Sequence, residues 1–120
     1  MNTTQIGNLG EEKATAYLKR KGYTIIARNY RTKGGELDIV ARKRGLLVFV
    51  EVKTRAYDAY GGPMGAVTKA KQRKMVRAAT QFIKEQKPQF TDIRFDIICV
   101  LREVNIVHLC PAFHPERTTL

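Results

Sequence analysis

A chain of 120 residues is long enough for one domain with a proper core and too short for two. Its 43% hydrophobic and 28% charged residues describe a soluble globular protein, and no apolar run approaches the roughly 20 residues that a membrane span needs. The formal charge of +11, from 22 Lys and Arg against 11 Asp and Glu, favours a polyanionic partner, nucleic acid before any other.

The opening Met-Asn-Thr-Thr-Gln has no basic region followed by an apolar one, so no export signal is expected and the cytoplasm is the expected compartment. Thr3 or Thr4 caps a first helix that runs to Lys21 and stops at Gly22. On a helical wheel Ile6, Leu9, Ala14, Tyr17 and Leu18 form one arc, the pattern of a helix lying on a sheet. Glu11 falls at the edge of that arc beside Leu18, whereas Glu12 points away.

The β-branched and aromatic run from Tyr23 to Tyr30 predicts a strand, and Lys33-Gly34-Gly35 turns into a second one. There Leu37, Ile39 and Ala41 alternate with Glu36, Asp38 and Val40, which places the latter three on one face, before a hairpin tip at Arg42 to Gly45. The third strand, Leu46 to Thr54, is apolar on both faces until Glu51, as for a central strand covered on both sides. A glycine-rich loop at 56–66 follows. Thr68 then caps a second helix that ends before Pro88, with Val67, Met75, Val76, Ala78, Ala79, Phe82 and Ile83 on its apolar arc.

Ile93 to Val100 and Val104 to Cys110 supply a fourth and a fifth strand, with Asp96 on the face of Arg94 and Ile98, and the tail from Pro111 is expected to be weakly ordered. A hairpin turning at Arg102 to Asn105 makes opposed residue numbers sum to about 207, which sets Cys99 opposite His108 and predicts buried, reduced thiols rather than a disulfide. The order α-β-β-β-α-β-β describes a single α/β domain over 1–120, a mixed five-stranded sheet flanked by helices.

Chemistry concentrates between Gly34 and Arg55. From Met1 to Tyr57 the acids are Glu11, Glu12, Glu36, Asp38 and Glu51, set among twelve Lys and Arg. Taken alone, Glu51 and Lys53 could be a surface ion pair worth between nothing and about 1 kcal/mol. The strand leading to Glu51 is almost wholly apolar, however, and Asp38 precedes Glu51 across a hairpin, so the two acids are approximate cross-strand neighbours. At about 5 Å and an effective dielectric near 20, two carboxylates repel by roughly 3 kcal/mol.

A hard divalent ion removes that conflict, and Mg²⁺ (or Mn²⁺) takes one or two carboxylates plus water and phosphate oxygens. Glu11, or alternatively Glu36, could complete the coordination. In such a site the acids bind metal and the metal binds phosphate, with Lys53 placed to orient or deprotonate the attacking water and to offset developing charge.

These residues resemble a known family. Asp38 and then Glu51-Val52-Lys53 on the next strand, preceded by a helix bearing Glu11, are similar to the core of the PD-(D/E)xK nucleases, the restriction-endonuclease-like superfamily that includes archaeal Holliday-junction resolvases. Gly10-Glu11, Gly22-Tyr23, Asn29 with Arg31, Gly35-Glu36-Leu37-Asp38, Phe49 to Arg55, Arg94-Phe95-Asp96 and Ala112-Phe113 more closely resemble the uncharacterised YraN-like family over nearly the whole chain. The resemblance implies a restriction-endonuclease-like sheet, Asp38, Glu51 and the Val52 carbonyl as metal ligands, Lys53 as catalytic lysine and Glu11 as the helix acid of the resolvase branch. Leu37 stands where the superfamily usually has a proline. The resolvase likeness also implies a homodimer, since two strands are often cut by two sites.

Gln72 lies early on the sheet-facing side of the second helix, either as core-edge polarity or as the site glutamine of some related nucleases. Lys69, Arg73 and Arg77 read either as a solvated face or as a phosphate track, and Arg55 is the better placed for a backbone phosphate. Tyr57 and Tyr60 are candidates for stacking on unpaired bases, while His108 and His114 lack metal-ligand spacing and read as structural or surface residues. The function expected is metal-dependent endonucleolytic cleavage of branched or otherwise structured DNA in repair or recombination. The alternative is a nucleic-acid-binding accessory protein with little cleavage of its own.

Overall fold

The computed structural model describes residues 3–55, 68–101 and 105–115, without the side chains of Thr3, Thr4, Ile6, Gly7 and Arg55. The expected cap at Thr3 or Thr4, the loop at 56–66 with Tyr57 and Tyr60, Val67, and most of the last hairpin turn lie outside the described residues. Seven elements follow in the predicted order: α1 (Thr3–Arg20), β1 (Thr24–Thr32), β2 (Gly35–Lys43), β3 (Leu46–Arg55), α2 (Lys69–Gln86), β4 (Asp92–Leu101) and β5 (Asn105–Phe113). They build one mixed sheet in the order β1-β2-β3-β4-β5, antiparallel throughout except for the parallel pair β3 and β4.

Each helix covers one face. Ala14 and Leu18 of α1 pack on Ile39, Ala41, Val48, Val50, Ile98 and Val100. On the other face Met75, Val76, Ala78, Ala79 and Phe82 of α2 meet Leu37, Val40, Leu47, Phe49 and Phe95. Leu47 to Val50 are buried on both sides, which is why the middle of β3 carries no polar residue until Glu51.

Local signals fix the ends of the elements. Gly22, at φ 93°, closes α1 with hydrogen bonds from its own N–H to Lys19 O and from Tyr23 N–H to Leu18 O, a Schellman motif. Thr68 caps α2 by accepting from Lys71 N–H, and Lys87 ends it in the left-handed region just before Pro88. The β2–β3 hairpin turns on Arg44 and Gly45, with Lys43 paired to Leu46.

Four expectations need correction. Leu37 belongs with Val40 to the α2 side whereas Ile39 and Ala41 face α1, so the alternation breaks at Asp38 and Glu36, Asp38 and Val40 do not share a face. The neighbouring strand is irregular as well, with Asn29 at φ 52°. The β4–β5 register pairs Ile98 with His108 and Cys99 with Val107, one residue off the expected pairing. Cys99 is buried and Cys110 exposed, both unbridged, so only one thiol is an interior one.

The described part of the segment from Pro111 is ordered against expectation, while residues 116–120 lie outside the described residues. It continues β5 to Phe113, whose ring stacks on Phe95 at 5.0 Å, so apolar contact on the sheet edge orders it.

Candidate active site

The β2–β3 ladder runs from Lys43↔Leu46 to Ile39↔Val50, and extending its register by one step sets Asp38 against Glu51. There the backbone pairing gives way to a side chain: Val52 N–H donates to Asp38 Oδ2 at 2.8 Å. Asp38, Glu51 and Glu36 then line a cleft of about 100 Å³ together with Gly35, Lys71 and Lys74. α2 reaches this cleft because Gly34 lets the β1–β2 turn lie against it: a Cβ at Gly34 would stand 3.1 Å from Arg77 Cβ and 3.2 Å from the Arg77 backbone.

Burial pushes the Asp38 carboxyl up to about 6; the Val52 hydrogen bond opposes this, and the charges of Glu11, Glu51 and Glu36 reinforce it. Glu11 comes from α1, where Gly10 allows the helix to press on β3. A Cβ there would collide with Thr54 Oγ1. Burial raises the Glu11 carboxyl too, against the pull of the Arg28 charge and a hydrogen bond with Asn29. Glu12 is exposed, yet it pairs with Arg28 of β1 at 2.9 Å, the same guanidinium whose charge acts on Glu11.

Glu51 Oε1 carries two ammonium groups, Lys53 Nζ at 3.3 Å and Lys71 Nζ at 3.5 Å. Its Oε2 is buried and, like Glu11 Oε1, has no hydrogen-bond partner among the described residues. Buried carboxylate oxygens left unpaired are costly unless something positive joins them. This donor set, three carboxylates with two unengaged oxygens, fits a hard divalent cation. The acids are not drawn into one tight cluster: among the described residues the three ligand atoms found within 4.8 Å of one another belong elsewhere.

Lys71 was not foreseen. It stands four residues before Met75 on the same helical arc, so its stem follows the buried face while its ammonium reaches Glu51. Burial lowers its proton affinity and the neighbouring Lys53 lowers it further, with Glu51 opposing both. Gln72, the expected helix-two residue, is half-buried and is not among the residues lining the cleft. Lys69, Arg73 and Arg77 are exposed along α2, and the Arg55 side chain lies outside the described residues.

A second polar cluster ties β4 and β5 to α1. Asp96, with no exposed surface, accepts from Arg94 Nε and NH2, both at 2.8 Å, and bonds His108 Nε2 at 2.7 Å. Arg94 also donates to Tyr23 OH at 2.7 Å, and Tyr17 OH bonds His108 Nδ1 at 3.0 Å. Hydrogen bonding to Asp96 strengthens the hold of Arg94 on its proton. His108 is thus a structural hydrogen-bonding residue here, and Asp96, His108 and Cys110 also form a group that could hold a metal ion, which the spacing argument did not bring out. The signal lay in the i, i+2 spacing of His108 and Cys110 on one strand face, but the third member comes from another strand. Both Asp96 oxygens already accept hydrogen bonds from the protein.

Among the described residues, no helix is long and apolar enough to cross a membrane. Comparison with known proteins finds a match to the model of the uncharacterised protein family UPF0102 over residues 10–100. A UPF0102 protein of Desulfosudis oleivorans is 46% identical over 105 residues, 88% of this chain and 85% of the relative. Another, from Pelobacter propionicus, is 48% identical over 113 residues, 89% and 81% of the two chains. One from a Sulfurihydrogenibium species is 43% identical over 116 residues, 97% of this chain and all of the relative. The solved structure of Pyrococcus furiosus SfsA in complex with Ca²⁺ aligns with a TM-score of 0.40 at 15% identity, over 83% of this chain and 62% of that one, too low a likeness to carry an argument. Family model and relatives agree: the chain belongs to the uncharacterised protein family UPF0102, the YraN-like family that its motifs resemble.

Proposed function

We propose that the protein is a divalent-metal-dependent endonuclease that hydrolyses phosphodiester bonds in DNA, with branched or otherwise structured DNA as its substrate class. The observation that carries this reading is a cleft lined by Asp38 and Glu51, with Lys53 paired to Glu51 at 3.3 Å and two buried carboxylate oxygens, Glu51 Oε2 and Glu11 Oε1, without a partner among the described residues, in a chain of formal charge +11. Asp38, Glu51 and Glu11 would hold Mg²⁺ or Mn²⁺, with the Val52 carbonyl a further ligand on the family resemblance. The Val52 N–H aims the Asp38 carboxylate across the strand gap. When bound, the ion supplies Lewis-acid charge at the phosphate and acidifies water.

Lys53 has the remaining chemical work: it orients the attacking water and balances charge that develops on the phosphate. Glu36, exposed at the rim, can add a carboxylate or repel a misplaced strand. The exposed Lys69, Arg73 and Arg77, with Arg55, suit the flanking phosphates, contacts that fix register without reading sequence. A restriction-endonuclease-like arrangement and a homodimer that presents two sites to two strands belong to the same proposal.

The test is cleavage of duplex, single-stranded, flap and four-way-junction DNA with Mg²⁺ or Mn²⁺, alongside Asp38→Ala and Lys53→Ala. Divalent-dependent cutting by the wild type and a loss of roughly 100-fold or more in both variants is expected. Equal cutting by variants and wild type would show the site to be misassigned. DNA binding with no cutting on any substrate would favour the accessory reading.

A further inference from the structure

Glu51 offers its two oxygens unequally: Oε1 carries both lysines and buried Oε2 has no partner among the described residues. Lys53 lies two residues from Glu51 on the same strand, and its ammonium is 3.3 Å from Glu51 Oε1. Lys71 comes from the first turn of α2, third after the Thr68 cap, on a flexible four-carbon stem whose side chain is 32% exposed. It therefore has somewhere else to go.

Its position also runs against local electrostatics. The first turn of α2 contains no acid and two lysines, Lys69 and Lys71, although the positive end of the helix dipole disfavours cations there. An anion at that end would remove the conflict, and Glu51 is the anion Lys71 meets in this structure. The cleft it shares with Lys74 and Asp38 opens to solvent along α2. A phosphate entering there would find the helix end and two ammonium groups together.

We propose that Lys71 is a gate between the two charges this site must accept: it occupies Glu51 until a divalent cation binds, and the released ammonium then takes a phosphate oxygen of the DNA. This rests on the metal-dependent reading above. Lys71 competes with the cation for Glu51 and afterwards cooperates with it in holding the anion. Metal and phosphate thus bind with positive coupling through one side chain, and a cation-free protein keeps its acids neutralised. A merely supporting lysine would have the opposite signature, since its loss would weaken metal binding.

The experiment is calorimetric titration of Mn²⁺ into wild type, Lys71→Met, Lys71→Arg and Glu51→Gln, with no nucleic acid present. Binding of a short fluorescent duplex, with and without Ca²⁺, is measured on the same four proteins. Lys71→Met should bind Mn²⁺ about two- to fivefold more tightly than wild type, the scale of a lost partly exposed ion pair. It should also lose most of the Ca²⁺-dependent gain in duplex affinity, and Lys71→Arg should stay near wild type in both. If Glu51→Gln abolishes Mn²⁺ uptake while Lys71→Met leaves it unchanged or weaker, the gate is overturned and the metal site stands. If wild type and Glu51→Gln take up Mn²⁺ alike, the metal reading is overturned and the gate with it.

Discussion

The backbone N–H of Val52 donates to the carboxylate of Asp38 over 2.8 Å, at the point where the β2–β3 ladder has stopped pairing strand to strand. A side chain has taken the place of a strand carbonyl. The bond favours the charged carboxylate, but burial and three neighbouring acids win, and the carboxyl rises to about 6. Without a cation the charged form of Asp38 is thus disfavoured relative to the neutral one.

Asp38→Asn keeps an acceptor for Val52 N–H and removes the buried charge. In EDTA at pH 7 it should be more stable than wild type by about 1–2 kcal/mol in urea denaturation. It should lose cleavage by roughly 100-fold or more. A variant that is both less stable and inactive would mean that Asp38 is structural.

The pH dependence has a definite sign. The folded value lies above the unfolded one, so between about pH 4 and pH 6 the folded state holds the proton more tightly, and the Asp38 contribution to stability falls as pH rises through that window. Glu11 acts in the same direction. The stability difference between wild type and Asp38→Asn, read from urea midpoints in EDTA, should be small near pH 4 and widen against wild type by pH 7. Saturating Mn²⁺ should close that gap at pH 7.

Gly10 faces Thr54 so closely that a methyl group would collide with the Thr54 hydroxyl and stand 3.4 Å from its Cβ. Gly10→Ala should therefore cost about 1–3 kcal/mol by overpacking. It should also reduce cleavage by displacing the adjacent Glu11. Because the clash is with the hydroxyl, Gly10→Ala combined with Thr54→Ala should recover most of the stability, with a coupling energy of about 1 kcal/mol or more in a double-mutant cycle.

Asp96 holds three hydrogen bonds with no exposed surface. Asp96→Ala strands the Arg94 guanidinium, and a loss of about 3–5 kcal/mol is expected in thermal or urea unfolding. His108→Gln, which leaves the Arg94–Asp96 pair intact, should cost clearly less.

The sequence was most legible where a signal is local. The glycine that closes α1, the threonine that caps α2 and the doubly apolar run of β3 each announce themselves within a few residues, and they set the architecture. Asp38, Glu51 and Lys53 were readable because one hairpin carries all three. Lys71 was missed because a lysine on an apolar arc looks like noise until the partner on the next layer is known. The face change at Asp38 was hidden in the same way, for it accompanies an irregular neighbouring strand that period-two reading cannot detect. The Asp96 and His108 pairing joins two strands and recruits Tyr17 and Tyr23 from far earlier in the chain.

The layering of the site has a consequence for how it comes into being. Asp38, Glu51 and Lys53 share a tight hairpin whose residues are close in sequence, so they meet by fast local pairing. Glu11 and Lys71 arrive from helices docked on opposite faces of the sheet, each held by its own apolar cluster. A chain with only one helix in place has Asp38, Glu51 and Lys53 but lacks either the third carboxylate, Glu11, or the second ammonium, Lys71. A finished site therefore reports that both layers have closed, and partly folded molecules, bearing the same residues, would be without it.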